Sequence, residues 1–127
     1  MKLEKGHVET FKSRFTQEDF DRFADLTGDN NPIHVDPEFS ARTHFRQTVA
    51  HAMLLYSTIC RVLSTQYPGP GTLQIKQDMM FQNPTYTQME ITIKLEVIDF
   101  QSALQLAELS TVIGLPDGKR ACNGSTT

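Results

Sequence analysis

Apolar positions in the first half of this chain recur mostly at helical spacing, whereas in the second half they alternate with polar ones. Val8 to Phe15 reads as a first strand with Phe11 and Phe15 on one face. Thr16 is then placed as a helix N-cap, and Asp19 three residues later completes a capping box. Phe20, Phe23, Ala24 and Thr27 follow at helical spacing, with Gly28 positioned as the C-terminal stop. Asp36-Pro37 marks another helix start, a cap followed by proline at the first helical position. From Val49 to Leu63 the apolar residues fall on nearly every side, which predicts a buried helix that Pro68-Gly69-Pro70-Gly71 ends.

Beyond that break the period becomes two. Leu73, Ile75, Met79 and Phe81 alternate with polar partners until Asn83-Pro84 interrupts them. Ile91, Ile93, Leu95 and Val97 alternate with Thr92, Lys94 and Glu96, and a third run extends from Leu104 to Ile113. Leu115-Pro116-Asp117-Gly118 has the composition of a hairpin turn. The expected architecture is α+β: one long helix, then consecutive antiparallel strands. A meander of strands covers such a helix only if it curls, so a curved antiparallel sheet wrapped around the long central helix is expected.

Composition narrows the picture. At 127 residues the chain is read as a single domain spanning 1–127, and 39% hydrophobic content argues against disorder. Twelve Lys+Arg against 15 Asp+Glu give a net charge of -3 with no run of like charge, which leaves no electrostatic footprint for nucleic acid or an anionic membrane. The apolar stretches are too short to span a bilayer. Cys60 and Cys122 have neither metal-ligand spacing nor the pattern of a disulfide framework, which fits a reducing compartment. The opening Met1-Lys2-Leu3-Glu4-Lys5 has no apolar secretion signal, so the chain reads as cytoplasmic; an organellar form with its presequence removed would read the same. No phosphate loop, nucleophile elbow, metal cluster or cofactor motif is present in the sequence.

The dense polar segment Gly28-Asp29-Asn30-Asn31-Pro32-Ile33-His34-Val35-Asp36-Pro37 is where chemistry is expected. Asp29 and His34 stand five positions apart across a turn stiffened by Pro32. A carboxylate and an imidazole so placed can grip one water and move its proton. On spacing alone, Asp29 and Asn31 read more readily as turn formers and His34 as a surface histidine.

The wider pattern decides between these readings. Gly28-Asp29-x-Asn31-Pro32-x-His34-x-Asp36-Pro37, then Phe45, then Val49-Ala50-His51-Ala52-Met53, resembles the hydratase motif of MaoC-like (R)-specific enoyl-CoA hydratases. The likeness extends to the opening Leu3-Glu4-x-Gly6, to Phe15-Thr16, and through Leu63, Pro68–Thr72 and Phe81-x-x-Pro84. It implies a single hotdog fold, no cofactor, and a homodimer in fatty acid metabolism. The implied reaction is reversible addition of water to a trans-2-enoyl-CoA thioester, giving (R)-3-hydroxyacyl-CoA. The resemblance makes Asp29 and His34 the catalytic dyad, and the backbone N–H of Ala52 the oxyanion donor at a helix start.

The family normally has glycine at the position of Ala52, but alanine keeps the N–H. Cys60 stands where several relatives carry a serine that hydrogen-bonds the dyad region, and a thiol donates more weakly. The last residues, Cys122 to Thr127, stop where relatives usually extend the final strand. Asn31 and His51 are expected in supporting roles, His51 as a structural hydrogen-bonder. His7 and His44 are expected to be exposed and without function, and Met53, Met79, Met80 and Met89 to fill core.

Three alternatives accompany this reading. A 3-hydroxyacyl-acyl carrier protein dehydratase would run the same chemistry in reverse on the same pantetheine arm. A hotdog thioesterase usually needs a carboxylate on the central helix, and Val49–Leu63 contains no Asp or Glu. A catalytically weak acyl-binding subunit is supported only by Ala52 and Cys60, and the Asp29/His34 pair speaks against it.

Overall fold

The computed structural model describes residues 3–127; Met1 and Lys2, part of the opening segment considered above, lie outside the described residues. In chain order the elements are β1 (Val8–Ser13), α1 (Gln17–Thr27), α2 (Pro32–Val35), α3 (Pro37–Ala41), α4 (Ala52–Thr65), β2 (Gln77–Phe81), β3 (Ile91–Gln101), β4 (Leu106–Gly114) and β5 (Arg120–Thr126). The strands form one sheet in the order β1-β3-β4-β5-β2, antiparallel throughout, with β1 and β2 at its edges.

Local signals set the helix boundaries before the site. Thr16 accepts from the Asp19 N–H while the Asp19 carboxylate accepts from the Thr16 N–H, the full capping box. Gly28 ends α1 in the left-handed region, φ 81°, where its N–H returns to the Ala24 carbonyl. Asn31 caps α2 through the Ile33 N–H, and Asp36 caps α3 through the Glu38 and Phe39 N–H groups. Capped turns on either side of Pro32 therefore hold the polar segment.

The core lies between α4 and the sheet. Leu54, Leu55, Ile59, Val62 and Leu63 from α4 join Ile91, Ile93, Leu95 and Val97 from β3, with Leu109 and Ile113 from β4. Each side chain fully buried this way contributes about 1.5–3 kcal/mol of hydrophobic stabilisation. The alternation read from β3 is realised strictly, its four aliphatic residues turned inward.

The structure departs from the pattern in several places, and Met53 and Met80, expected in the core, are 52% and 64% exposed. Val49 and Ala50 precede the helix, because the Val49 N–H bonds the Ile33 carbonyl and the Ala50 N–H bonds that of Thr85. The helix is buried along one broad face only, leaving Ala52, Met53, Ser57, Arg61 and Ser64 exposed. Leu73 and Ile75 fall outside β2 and are 85% and 70% exposed, since no layer faces them. At the C-terminus β5 is fully formed and pairs with both β4 and β2.

Candidate active site

Asp29, His34, His51 and Ala52 come together in one cleft of about 440 Å³, which Phe23, Thr27, Ala50 and Met53 complete. A carboxylate oxygen of Asp29, a ring nitrogen of His34 and a ring nitrogen of His51 all lie within 4.8 Å of one another. Two hydrogen bonds of about 2.8 Å meeting at one water near the tetrahedral angle span about 4.6 Å. The separation therefore suits a single water held between Asp29 and His34.

Main-chain carbonyls fix the tautomers of both imidazoles. His34 Nδ1 lies 2.7 Å from the Val49 carbonyl oxygen. A carbonyl only accepts, so Nδ1 carries the hydrogen and Nε2 of the neutral ring keeps its lone pair. His51 Nε2 lies 2.9 Å from the Asp29 carbonyl oxygen and carries the hydrogen for the same reason. The rings stack at 3.9 Å between centroids, 26° apart in plane. Phe23 (4.8 Å) and Phe20 (6.5 Å, edge-on) also pack against the His51 ring. Burial depresses the pKa of His51 below its ordinary 6.5, and the neighbouring His34 pushes the same way; the bond to the Asp29 carbonyl and the Asp29 charge oppose them.

These three side chains have a donor set that a divalent cation could use. Two of the three are the stacked rings, each with one nitrogen held by a carbonyl and the other left to accept.

Ala52 is the first residue of α4, with His51 as its N-cap in extended conformation (φ -60°, ψ 140°) and no side-chain cap. Leu54 and Leu55 N–H return to the His51 carbonyl, whereas among the described residues no acceptor meets the Ala52 or Met53 N–H. Free donors at the positive end of a fourteen-residue helix border the cleft that holds the Asp/His pair. Ala52 also lines an adjoining cleft of about 250 Å³ with Phe45, Ala50 and Phe81–Thr85.

Other sequence-derived candidates are placed differently. Asn31 stands outside the cleft in the supporting place expected of it: its side chain caps α2 and its N–H donates to Asp29 Oδ1 at 3.5 Å. Cys60 lies eight residues beyond Ala52 on α4, where its thiol donates to Gln74 Oε1 at 3.2 Å, a contact shared by the Tyr56 hydroxyl at 3.1 Å. Gln74 does not line the cleft that holds Asp29 and His34. His44 is exposed as expected, whereas His7 is half-buried with its ring against Tyr67.

Two supports escaped the sequence reading. Gln17 donates from Nε2 to the His34 carbonyl (2.9 Å) and accepts at Oε1 from the buried Thr48 hydroxyl (2.6 Å), tying α1 to the loop before α4. The Val49 carbonyl that orients His34 is also invisible to residue type. Only the position of Gln17 just after a helix cap was a signal, and it is a weak one.

Comparison with known proteins shows the family and the fold. The family described as MaoC like domain matches residues 3–113. An (R)-specific enoyl-CoA hydratase of Aeromonas caviae is 34% identical over 122 residues, covering 96% of this chain and 91% of that protein. A 3-hydroxybutyryl-CoA dehydratase of Methylorubrum extorquens is 35% identical over 115 residues, 91% of this chain and 73% of the relative. The solved structure of the A. caviae (R)-hydratase involved in PHA biosynthesis superposes with a TM-score of 0.93, covering 98% of this chain and 94% of that one. The fold is the hotdog fold of those hydratases. The chain belongs to the MaoC-like domain family.

Proposed function

We propose that this chain is a hydro-lyase of the (R)-specific enoyl-CoA hydratase type, with residues 1–127 forming one hydratase domain. The observation that carries the reading is the convergence of Asp29 and His34 within water-bridging distance, beside the free N–H of Ala52.

The chemistry follows from the acceptors. A carboxylate at Asp29 and the bare Nε2 of His34 both accept, so a water between them donates both hydrogens and keeps a lone pair for attack. That lone pair adds to the β-carbon of the enoyl thioester. One water proton passes to the Asp/His pair, and the pair delivers a proton to the α-carbon, so the site ends as it began. Which member holds the proton at each stage belongs to the coupled pair, not to either residue alone. Negative charge that develops on the thioester oxygen meets the Ala52 N–H and the positive end of α4. The dehydration direction uses the same groups, and the balance follows substrate supply.

The substrate is an acyl thioester of coenzyme A, by analogy with the named activities of the relatives; a carrier-protein thioester presents the same pantetheine arm. The cleft is open along the exposed Ala52–Met53 edge, which supports a homodimer whose second copy closes it. Among the described residues no helix is long and apolar enough to cross a membrane, and the two free cysteines support a reducing, cytoplasmic setting.

Incubation with crotonyl-CoA tests the proposal. Hydration removes the enoyl-thioester absorbance with no free thiol released. Thiol release instead points to a thioesterase, and no change at all to an acyl-binding subunit.

A further inference from the structure

We infer that His51 is a positioning residue for the hydration step, joining the two halves of the dyad by stacking on the His34 ring and bonding the Asp29 main chain. The inference rests on the dyad reading above and adds to it the group that holds Asp29 and His34 in register.

His51 is 1% exposed, so water cannot satisfy its ring. Its Nε2–H donates to the Asp29 carbonyl at 2.9 Å, bridging 22 positions between the start of α4 and the loop after α1. Its face lies 3.9 Å from the His34 ring, whose own Nδ1–H is held by Val49 at 2.7 Å. With Phe23 and Phe20 also packed on it, the His51 ring is a fixed plate on which His34 rests. Both members of the dyad therefore depend on one side chain, Asp29 through its backbone and His34 through its ring.

The remaining nitrogen, Nδ1, is buried with no partner. An unpaired buried polar atom is a stability cost. A phenylalanine would fill the same apolar nest without that cost, but it lacks the donor that reaches Asp29. Protonating His51 would place a hydrogen on the unpartnered Nδ1, beside a second imidazole, and burial opposes it. His51 thus stays neutral, and the proton exchanged in catalysis remains with Asp29 and His34.

Two substitutions separate the two contacts. His51→Phe keeps a ring beneath His34 and removes the donor; His51→Gln keeps an amide donor near the Nε2 position and removes the ring. Because small displacements of reacting groups cost up to about 10²-fold in rate, each variant should lose roughly 10- to 100-fold in kcat for crotonyl-CoA hydration, with KM within about threefold. A purely structural histidine would lower the unfolding midpoint and leave kcat per folded molecule at the wild-type value; that result in either variant overturns the inference, and so does a loss carried by KM. Side-chain nitrogen NMR on the wild-type protein gives a second readout that needs no variant to fold. It should show His51 as the Nε2–H tautomer and His34 as the Nδ1–H tautomer near neutral pH. A protonated or Nδ1–H His51 overturns the inference. Absence of hydration by the wild-type protein would instead refute the function, while the tautomer result still tests the contacts.

Discussion

Replacing Ala52 by proline should lower kcat by about 10²–10³ while sparing the fold, and the reason is local. Ala52 is the first residue of α4, where proline is well tolerated because its missing N–H has no helical acceptor. His51 before it has φ -60° and ψ 140°, within the extended region that a following proline requires. No described intrachain hydrogen bond is lost, since the Ala52 N–H has no acceptor among the described residues. Restricting the unfolded chain adds about 0.4–1 kcal/mol in favour of the folded state where the native backbone is compatible. Stability should therefore stay within about 1 kcal/mol of wild type. The oxyanion loses its donor, and removal of one such N–H costs about 10²–10³ in kcat, or about 2.7–4 kcal/mol of transition-state stabilisation. Ala52→Gly retains the N–H and should remain close to wild type, which controls for changes in the cleft wall. Steady-state hydration of crotonyl-CoA, paired with urea unfolding, measures both quantities. A folded Ala52→Pro protein with kcat within about threefold of wild type would show that this N–H does not hold the thioester oxygen.

Gly124→Ala places a Cβ 1.9 Å from the Asp78 carbonyl oxygen, so β5 and β2 must part, and a loss of about 3 kcal/mol or more is expected in urea unfolding. Gly114→Ala is the control in the same sheet: its nearest neighbour, the Thr92 carbonyl oxygen, is 3.9 Å away, and equal losses in the two variants would refute the steric argument. Gln17→Leu leaves the Thr48 hydroxyl and the His34 carbonyl without partners and should cost about 1–3 kcal/mol. Adding Thr48→Val should recover part of that loss, and strict additivity would contradict the coupling. Stability should fall on acidification below about pH 6.5, because unfolding frees His51 to take up a proton that burial resists in the native state. The loss develops between 6.5 and the depressed native value and is absent at higher pH, so a wild-type profile that matches His51→Phe through that window contradicts the sign.

What could be read from the sequence was what neighbouring residues decide among themselves. The Thr16–Asp19 box, the Gly28 stop and the Asp36-Pro37 start all close within a few residues, and all three are present. The strict alternation of Ile91, Ile93, Leu95 and Val97 also sufficed, because one buried face enforces one register. Pattern failed where a distant partner decides. Val49 and Ala50 look helical but are drawn out by Ile33 and Thr85, and Leu73 and Ile75 alternate without a layer to face. The same division holds at the site. Asp29 and His34 were singled out by the family likeness of their segment, and the fold brings them into one cleft, whereas Gln17, Thr48 and the Val49 carbonyl act across 15 to 31 positions and carry no signature. Cys60 was expected near the dyad region, yet its thiol turns to Gln74, which only the folded chain brings beside it.

Hydration of crotonyl-CoA by Asp29→Asn, by His34→Ala and by the double variant tests the account most directly. Each single substitution should lower kcat/KM by about 10²–10⁴ while the protein remains folded. The double variant should be little worse than either single one, as expected of groups acting on one water. A folded single variant that hydrates the enoyl thioester at the wild-type rate would contradict the claim that Asp29 and His34 together activate the water.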